Sequence, residues 1–137
     1  MLVFDVLVFL FIWFSMFLWH ELMHCLEAYR QGSQDVYIIP DFPGFSMSMV
    51  YNGLIYDKSL ISLAGGVYTS VLCFPLALLS DGVWQFSFLT LGWVQLFYGV
   101  FEYRYLHVLS SRRYRWGRYV LYVFMVLANL LFWWWIK

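Results

Sequence analysis

Charge is the scarcest component of this chain. Its 137 residues carry eight Lys plus Arg and eight Asp plus Glu, 12% of the sequence, about half of what globular proteins use. The net charge is zero and no basic stripe is present, which excludes a nucleic-acid binder. Two cysteines exclude a disulfide scaffold. Internal repeats, low-complexity tracts and linkers are also missing, so one domain spanning 1–137 is expected. What is present is apolar: 64% hydrophobic and 24% aromatic residues, with a mean hydropathy of +0.72. That excludes intrinsic disorder, and it leaves too few polar side chains to cover a soluble fold of this size. The composition points to a lipid bilayer as solvent and partner.

A bilayer-crossing helix needs about 20 mostly apolar residues. Stretches of that kind run from about Leu2 to Tyr29, from Leu60 to Leu79, from Val83 to about Leu106 and from Tyr119 to Ile136. The expected fold is therefore an all-α polytopic membrane protein with four transmembrane helices. The first stretch reads as a retained span, because no Lys or Arg precedes Arg30 and no small-x-small cleavage site is present. Arg104, Arg112, Arg113, Arg115 and Arg118 lie between the third and fourth stretches, and Arg30 and Lys58 between the first and second. Four spans place all of them on one side and only Lys137 on the other. The positive-inside rule makes the first side cytoplasmic, with both termini outside. Trp133, Trp134 and Trp135 then form an outer aromatic belt, and the arginine cluster a topology determinant and anionic-lipid contact.

The one long polar loop, Gln31 to Ser59, opens on Gly32, which suits a helix C-cap. Val36 to Ile39 reads as a short strand ended by Pro40, followed by a turn at Asp41, Pro43 and Gly44. Phe45 to Tyr51 alternates Phe45, Met47, Met49 and Tyr51 with Ser46 and Ser48, the period of a strand. A short β-hairpin at the membrane surface is expected between the first two helices.

Near the end of the first span stands His20-Glu21-Leu22-Met23-His24, an H-E-x-x-H pattern. Helical positions four apart share a face, so both histidines can offer a ring nitrogen to one metal ion, with Glu21 placed to take a proton from a water on it. Ionisable residues inside a bilayer cost about 2.5–3.5 kcal/mol each when central. A divalent cation offsets that cost for three such residues within five positions. A motif at the interface, solvated by water and inert, is the plain alternative.

Catalytic zinc takes three protein ligands and leaves one position open. His20 and Glu102 lie about 18 and 19 residues into spans running the same way, which at 1.5 Å per residue gives similar depth. Glu102 is the only acid inside the third span, and it is the expected third ligand. Asp5 and Asp81 belong to the outer side, Asp35 and Asp57 to the loop. Glu27 shares a face with His24 as a ligand or a supporting partner, and His107 is a weaker option. Gln95, seven residues before Glu102, is placed to bind substrate, to brace a ligand or to hydrogen-bond another helix. Asn129 reads as packing glue, and the small residues of the second span (Ser62, Gly65, Gly66, Thr69, Ser70, Cys73, Ala77) as a close-packing stripe. Cys25 and Cys73 are read as small buried hydrophobes.

H-E-x-x-H in a membrane helix, a following glycine, a strand-like loop and then Ser62-Leu63-Ala64-Gly65-Gly66-Val67-Tyr68-Thr69 together resemble the site-2 protease family of intramembrane zinc metalloproteases. That family's second segment, Ala-Gly-Pro-x-x-Asn, is matched by Ala64 and Gly65, with Gly66 for Pro and Thr69 for Asn. Its Asn-Pro-x-Asp-Gly motif has no counterpart: Tyr98-Gly99-Val100-Phe101-Glu102-Tyr103 occupies the place, so Glu102 would stand for the aspartate. The resemblance covers about residues 15 to 105 and implies a minimal or divergent member.

The expected function is hydrolysis of peptide bonds in or near transmembrane segments of membrane-protein substrates. His20, His24 and Glu102 would hold one Zn2+ per chain, with Glu21 as general base. The strand carrying Met47, Ser48 and Met49 would hold the unwound substrate by edge pairing, with Gln95 as a further substrate contact. The alternative from another class is a catalytically inactive metal-binding subunit or adaptor for a partner protein.

Overall fold

Apolar runs punctuated by glycine and acidic caps fold into four helices and one two-stranded ladder. The computed structural model describes residues 2–41, 46–52, 57–105 and 111–136. Their order is α1 (Leu2–Arg30), β1 (Asp35–Asp41), β2 (Ser46–Asn52), α2 (Lys58–Leu78), α3 (Gly82–Tyr105) and α4 (Ser111–Ile136). Phe45, Pro43, Gly44, His107 and Lys137 lie outside the described residues.

Local chemistry sets the ends. At the C-terminus of α1, Gly32 takes φ +99°, its N–H donates to the Tyr29 carbonyl and the Ser33 N–H reaches back to that of Ala28. This is the Schellman arrangement, which needs a residue free to adopt positive φ. At the start of α2, the Asp57 carboxylate accepts from the Ser59 and Leu60 N–H groups at 2.9 and 3.0 Å, satisfying two of the donors a helix leaves open. Asp57, read from sequence as a loop acid, is thus an N-cap.

β1 and β2 pair antiparallel, with Asp35 opposite Asn52 and Asp41 opposite Ser46, and both lie beside α1. The expected stop at Pro40 is not observed: Pro40 stands inside β1, opposite Met47. Both strands of a two-stranded ladder are edges, where a residue without an N–H is tolerated. A second correction concerns α4, which begins at Ser111 rather than near Tyr119. Hydropathy locates the apolar part of a helix, but arginine is itself a good helix former, so Arg112, Arg113, Arg115 and Arg118 extend the helix instead of forming a loop.

α1, α2 and α3 pack mutually, and α4 touches chiefly α3. α2 and α3 approach through two glycines: a Cβ on Gly66 would fall on the backbone of Gly99 and Gln95, and one on Gly99 would meet Gly66 Cα at 2.9 Å. Along the helix axes the interior is zoned. Val8, Phe9, Ile12 and Trp13 pack with Cys73, Ala77, Val83, Phe88, Leu91 and Trp133 toward the N-terminus of α1. The other end buries His20, Glu21, His24, Glu27, Gln95 and Glu102.

The exterior reverses the usual distribution. Phe4, Phe11 and Phe14 on α1 are each more than 60% exposed, and Val71, Trp93, Phe97, Phe124 and Leu131 also face outward. Two helices, Val3–Arg30 and Lys58–Leu78, are long and apolar enough to cross a membrane. Among the described residues α3 and α4 do not reach the same combination, and in α4 the apolar part is Val123–Trp135. The described residues thus form four helices, two of them of spanning length and hydropathy.

Candidate metal centre

The spacing of four within α1 places His20 and His24 one above the other, and α3 brings Glu102 to the same level. The His20 and His24 Nε2 atoms are 3.0 Å apart, and Glu102 Oε2 lies 3.2 Å from the first and 3.3 Å from the second. All three residues are buried, His20 almost completely at 1% exposure. Among the described residues this is the one group of three or more His, Cys, Asp or Glu side chains whose ligand atoms converge, within 4.8 Å of one another.

The outer faces of the imidazoles decide what the inner faces carry. His24 Nδ1 is 2.6 Å from the Ile61 carbonyl oxygen, an atom that can only accept. Nδ1 therefore carries a proton, which leaves Nε2 of a neutral ring with a lone pair. His20 Nδ1 is likewise 2.7 Å from the Gln95 amide oxygen. With both rings neutral, two imidazole lone pairs and a carboxylate oxygen face one another in a buried site. One shared proton can bridge only one of the three pairs, whereas a divalent cation at the centre satisfies all of them. The spacing suits such an ion: donors about 2.0–2.1 Å from a tetrahedral zinc lie about 3.3 Å from one another. Two nitrogens and one carboxylate oxygen are also a donor set that zinc accepts, and the Nδ1–H···O bonds are the supports that fix ligand tautomer and orientation.

Gly65 completes the wall. A Cβ there would press into the His24 ring and come within 2.8 Å of His20 Nε2, so only glycine lets α2 pass this close to the two nitrogens. Tyr98 closes another side, its ring centroid 5.4 Å from that of His20. Glu21, next to His20 in sequence, is 5% exposed and stays outside the converging trio.

The remaining candidates go elsewhere. Glu27 is fully buried but spends its carboxylate on Arg30, Gln31 and Tyr68. Asp5 is fifteen residues before His20, about 22 Å along the helix, and Asp81 precedes α3, where its carbonyl accepts from the Gln85 N–H. Gln95 is fully buried and holds a ligand ring, which places it behind His20. Met47, Ser48 and Met49 stand in β2 opposite Pro40, Ile39 and Ile38, with side chains outside the described set. Sequence reasoning missed the Ile61 carbonyl and Tyr68. A backbone acceptor leaves no mark in a sequence, and a tyrosine 41 residues from its partner gives no spacing signal. The chain matches no family model, no curated protein and no solved structure, so the reading of this centre rests on its geometry.

Proposed function

We propose that this chain is an intramembrane zinc metalloendopeptidase that hydrolyses peptide bonds in or beside the transmembrane segments of other membrane proteins. The observation that carries the reading is the buried convergence of the His20 and His24 ring nitrogens on a Glu102 carboxylate oxygen, with a buried carboxyl group, Glu21, next to His20 in sequence. Membrane residence is supported by the inverted surface. Bulky apolar side chains point outward while His20, Glu21, His24, Glu27 and Glu102 are enclosed, the pattern expected of intramembrane functional groups. In a four-span arrangement α3 and α4 cross with α1 and α2, and the arginines near the α3–α4 connection set the centre toward the cytoplasmic face.

Zinc held by His20, His24 and Glu102 would supply Lewis-acid polarisation of a peptide carbonyl and a more acidic water. Glu21, as carboxylate, would take up the proton of the attacking water and return it to the amine released when the C–N bond breaks. Gln95 and the Ile61 carbonyl keep the imidazoles in one tautomer throughout. A substrate helix hides its carbonyls in hydrogen bonds and must unwind first. Among the described residues β2 pairs with β1 alone; its other edge would offer main-chain partners to the unwound segment, and Met47→Pro should reduce cleavage while leaving metal bound.

Two measurements test the reading. Elemental analysis of detergent-purified protein should give about one zinc per chain, lost in His24→Ala and in Glu102→Ala. Comparison of new protein termini in membranes carrying wild type or Glu21→Gln should then show cuts in or beside transmembrane segments with wild type alone. No zinc in wild type after zinc is supplied removes the metal centre. Zinc in both proteins with identical termini leaves the centre and removes the peptidase, in favour of a metal-binding adaptor.

A further inference from the structure

One carboxylate outside the metal trio accepts four side-chain hydrogen bonds. Glu27 is fully buried. Its Oε2 accepts from Arg30 Nε at 2.8 Å and from the Tyr68 hydroxyl at 3.0 Å. Its Oε1 accepts from an Arg30 Nη2 at 2.9 Å and from Gln31 Nε2 at 3.0 Å. The Arg30 pair is the two-pronged kind, stronger and more directional than a point contact. Tyr68 belongs to α2, so this one group fastens the last turns of α1 to the body of α2.

The network continues into the start of α2. Gln31 Nε2 also donates to the Asp57 carbonyl at 3.1 Å, and Gln31 Oε1 accepts from the Asp57 N–H at 2.9 Å. Asp57 is the N-cap of α2, and Ile61 lies one turn on, its N–H donating to the Asp57 carbonyl. Ile61 carries the carbonyl that receives His24 Nδ1–H. Glu27 lies one helical turn beyond His24. The connections therefore close into a ring: His24, Glu27, Gln31, Asp57, Ile61 and back to His24.

We propose that Glu27 is a positioning residue for the metal centre, setting through Tyr68 and Gln31 the distance between α1 and α2 at which Ile61 can fix the His24 ring. The proposal rests on the metal reading above. Glu27 does not touch the metal. It acts on the ligand's backbone acceptor, the Ile61 carbonyl, and loss of such a direct acceptor typically changes metal affinity 10- to 100-fold.

The experiment is a cobalt(II) titration of detergent-purified, zinc-stripped protein, followed by visible absorption, on wild type, Glu27→Gln, Tyr68→Phe, Gln31→Ala and Ser87→Ala. Tyr68→Phe deletes one hydroxyl and keeps the ring, so it tests the idea even where Glu27→Gln does not fold. Ser87→Ala is the control, since this buried hydroxyl donates to the Val83 carbonyl of its own helix, away from the ring. The expected result is cobalt affinity at least about tenfold weaker in Tyr68→Phe and Gln31→Ala. Their d–d band should also shift or weaken, while Ser87→Ala should match wild type in band shape. A general loss of stability would lower the melting temperature without altering that band. Wild-type affinity and band in Tyr68→Phe and Gln31→Ala overturn the positioning role alone. A wild type that takes up no cobalt overturns the metal centre, and the positioning role with it.

Discussion

At the scale of single residues, the centre depends on what each ligand does with the atom it does not offer to metal. The sequence shows two histidines four apart, and it singles out Glu102 as the lone acid of its span. It cannot show that Ile61 and Gln95 accept the two Nδ1 protons, because those partners are 37 and 75 residues away. Gln95→Leu keeps the bulk of the side chain and removes the acceptor, so zinc should bind 10- to 100-fold more weakly, measured by chelator competition. Gly65→Ala should abolish stoichiometric zinc uptake outright, since the added methyl lands between the imidazoles. Elemental analysis of the folded variant checks this, and a full complement of zinc would show that α2 can retreat. Glu102 was legible through its depth and as the only acid of its apolar stretch. Glu27 was not: as a face-sharing acid it resembles a ligand, and only the Tyr68 hydroxyl and the Arg30 fork show where its charge is spent.

At the scale of elements, local signals did most of the work. Gly32, Asp57 and the alternation in 45–51 each correspond to a chemical need: positive φ, an acceptor for open N–H groups, or a pleated ladder. Asp57→Ala should cost about 1 kcal/mol, the usual worth of an N-cap, read as a lower melting temperature in detergent. The elements misjudged from sequence were β1 and α4, where a proline and a run of arginines suggested endings. Proline breaks a ladder only where an inward N–H is required, and a polar helix end can project beyond the apolar layer. The crossing of α2 and α3 is set by glycines on both helices. Gly99→Ala puts a methyl against backbone atoms, which cannot rotate away, and overpacking of this kind costs about 1–3 kcal/mol. Its melting temperature should fall even though alanine is the better helix former, and a rise would mean that the helices separate without penalty.

At the scale of the whole molecule, many bulky apolar side chains face outward. If the proposed membrane residence holds, the protein should remain monodisperse in detergent and aggregate when detergent is removed. Zinc binding to the folded state alone should raise the melting temperature with free metal concentration, by about 2.7 kcal/mol of stability at a hundredfold excess over Kd. Glu102→Ala should lose that dependence. Thermal scans at graded zinc concentration check both, and an equal zinc response in the variant would place the ion elsewhere.

The sequence by itself determined that the chain is apolar, that its core is helical and that one helix carries two ligand-type histidines on one face. These follow from composition and from periodicities of a few residues, which short-range geometry enforces. Only the tertiary structure decided that Glu102 closes on that face, that Gly65 leaves room for it, and that Gln95, Ile61 and Glu27 hold the arrangement in place. Those relations join residues tens of positions apart, and their distances exist only once α1, α2 and α3 have packed.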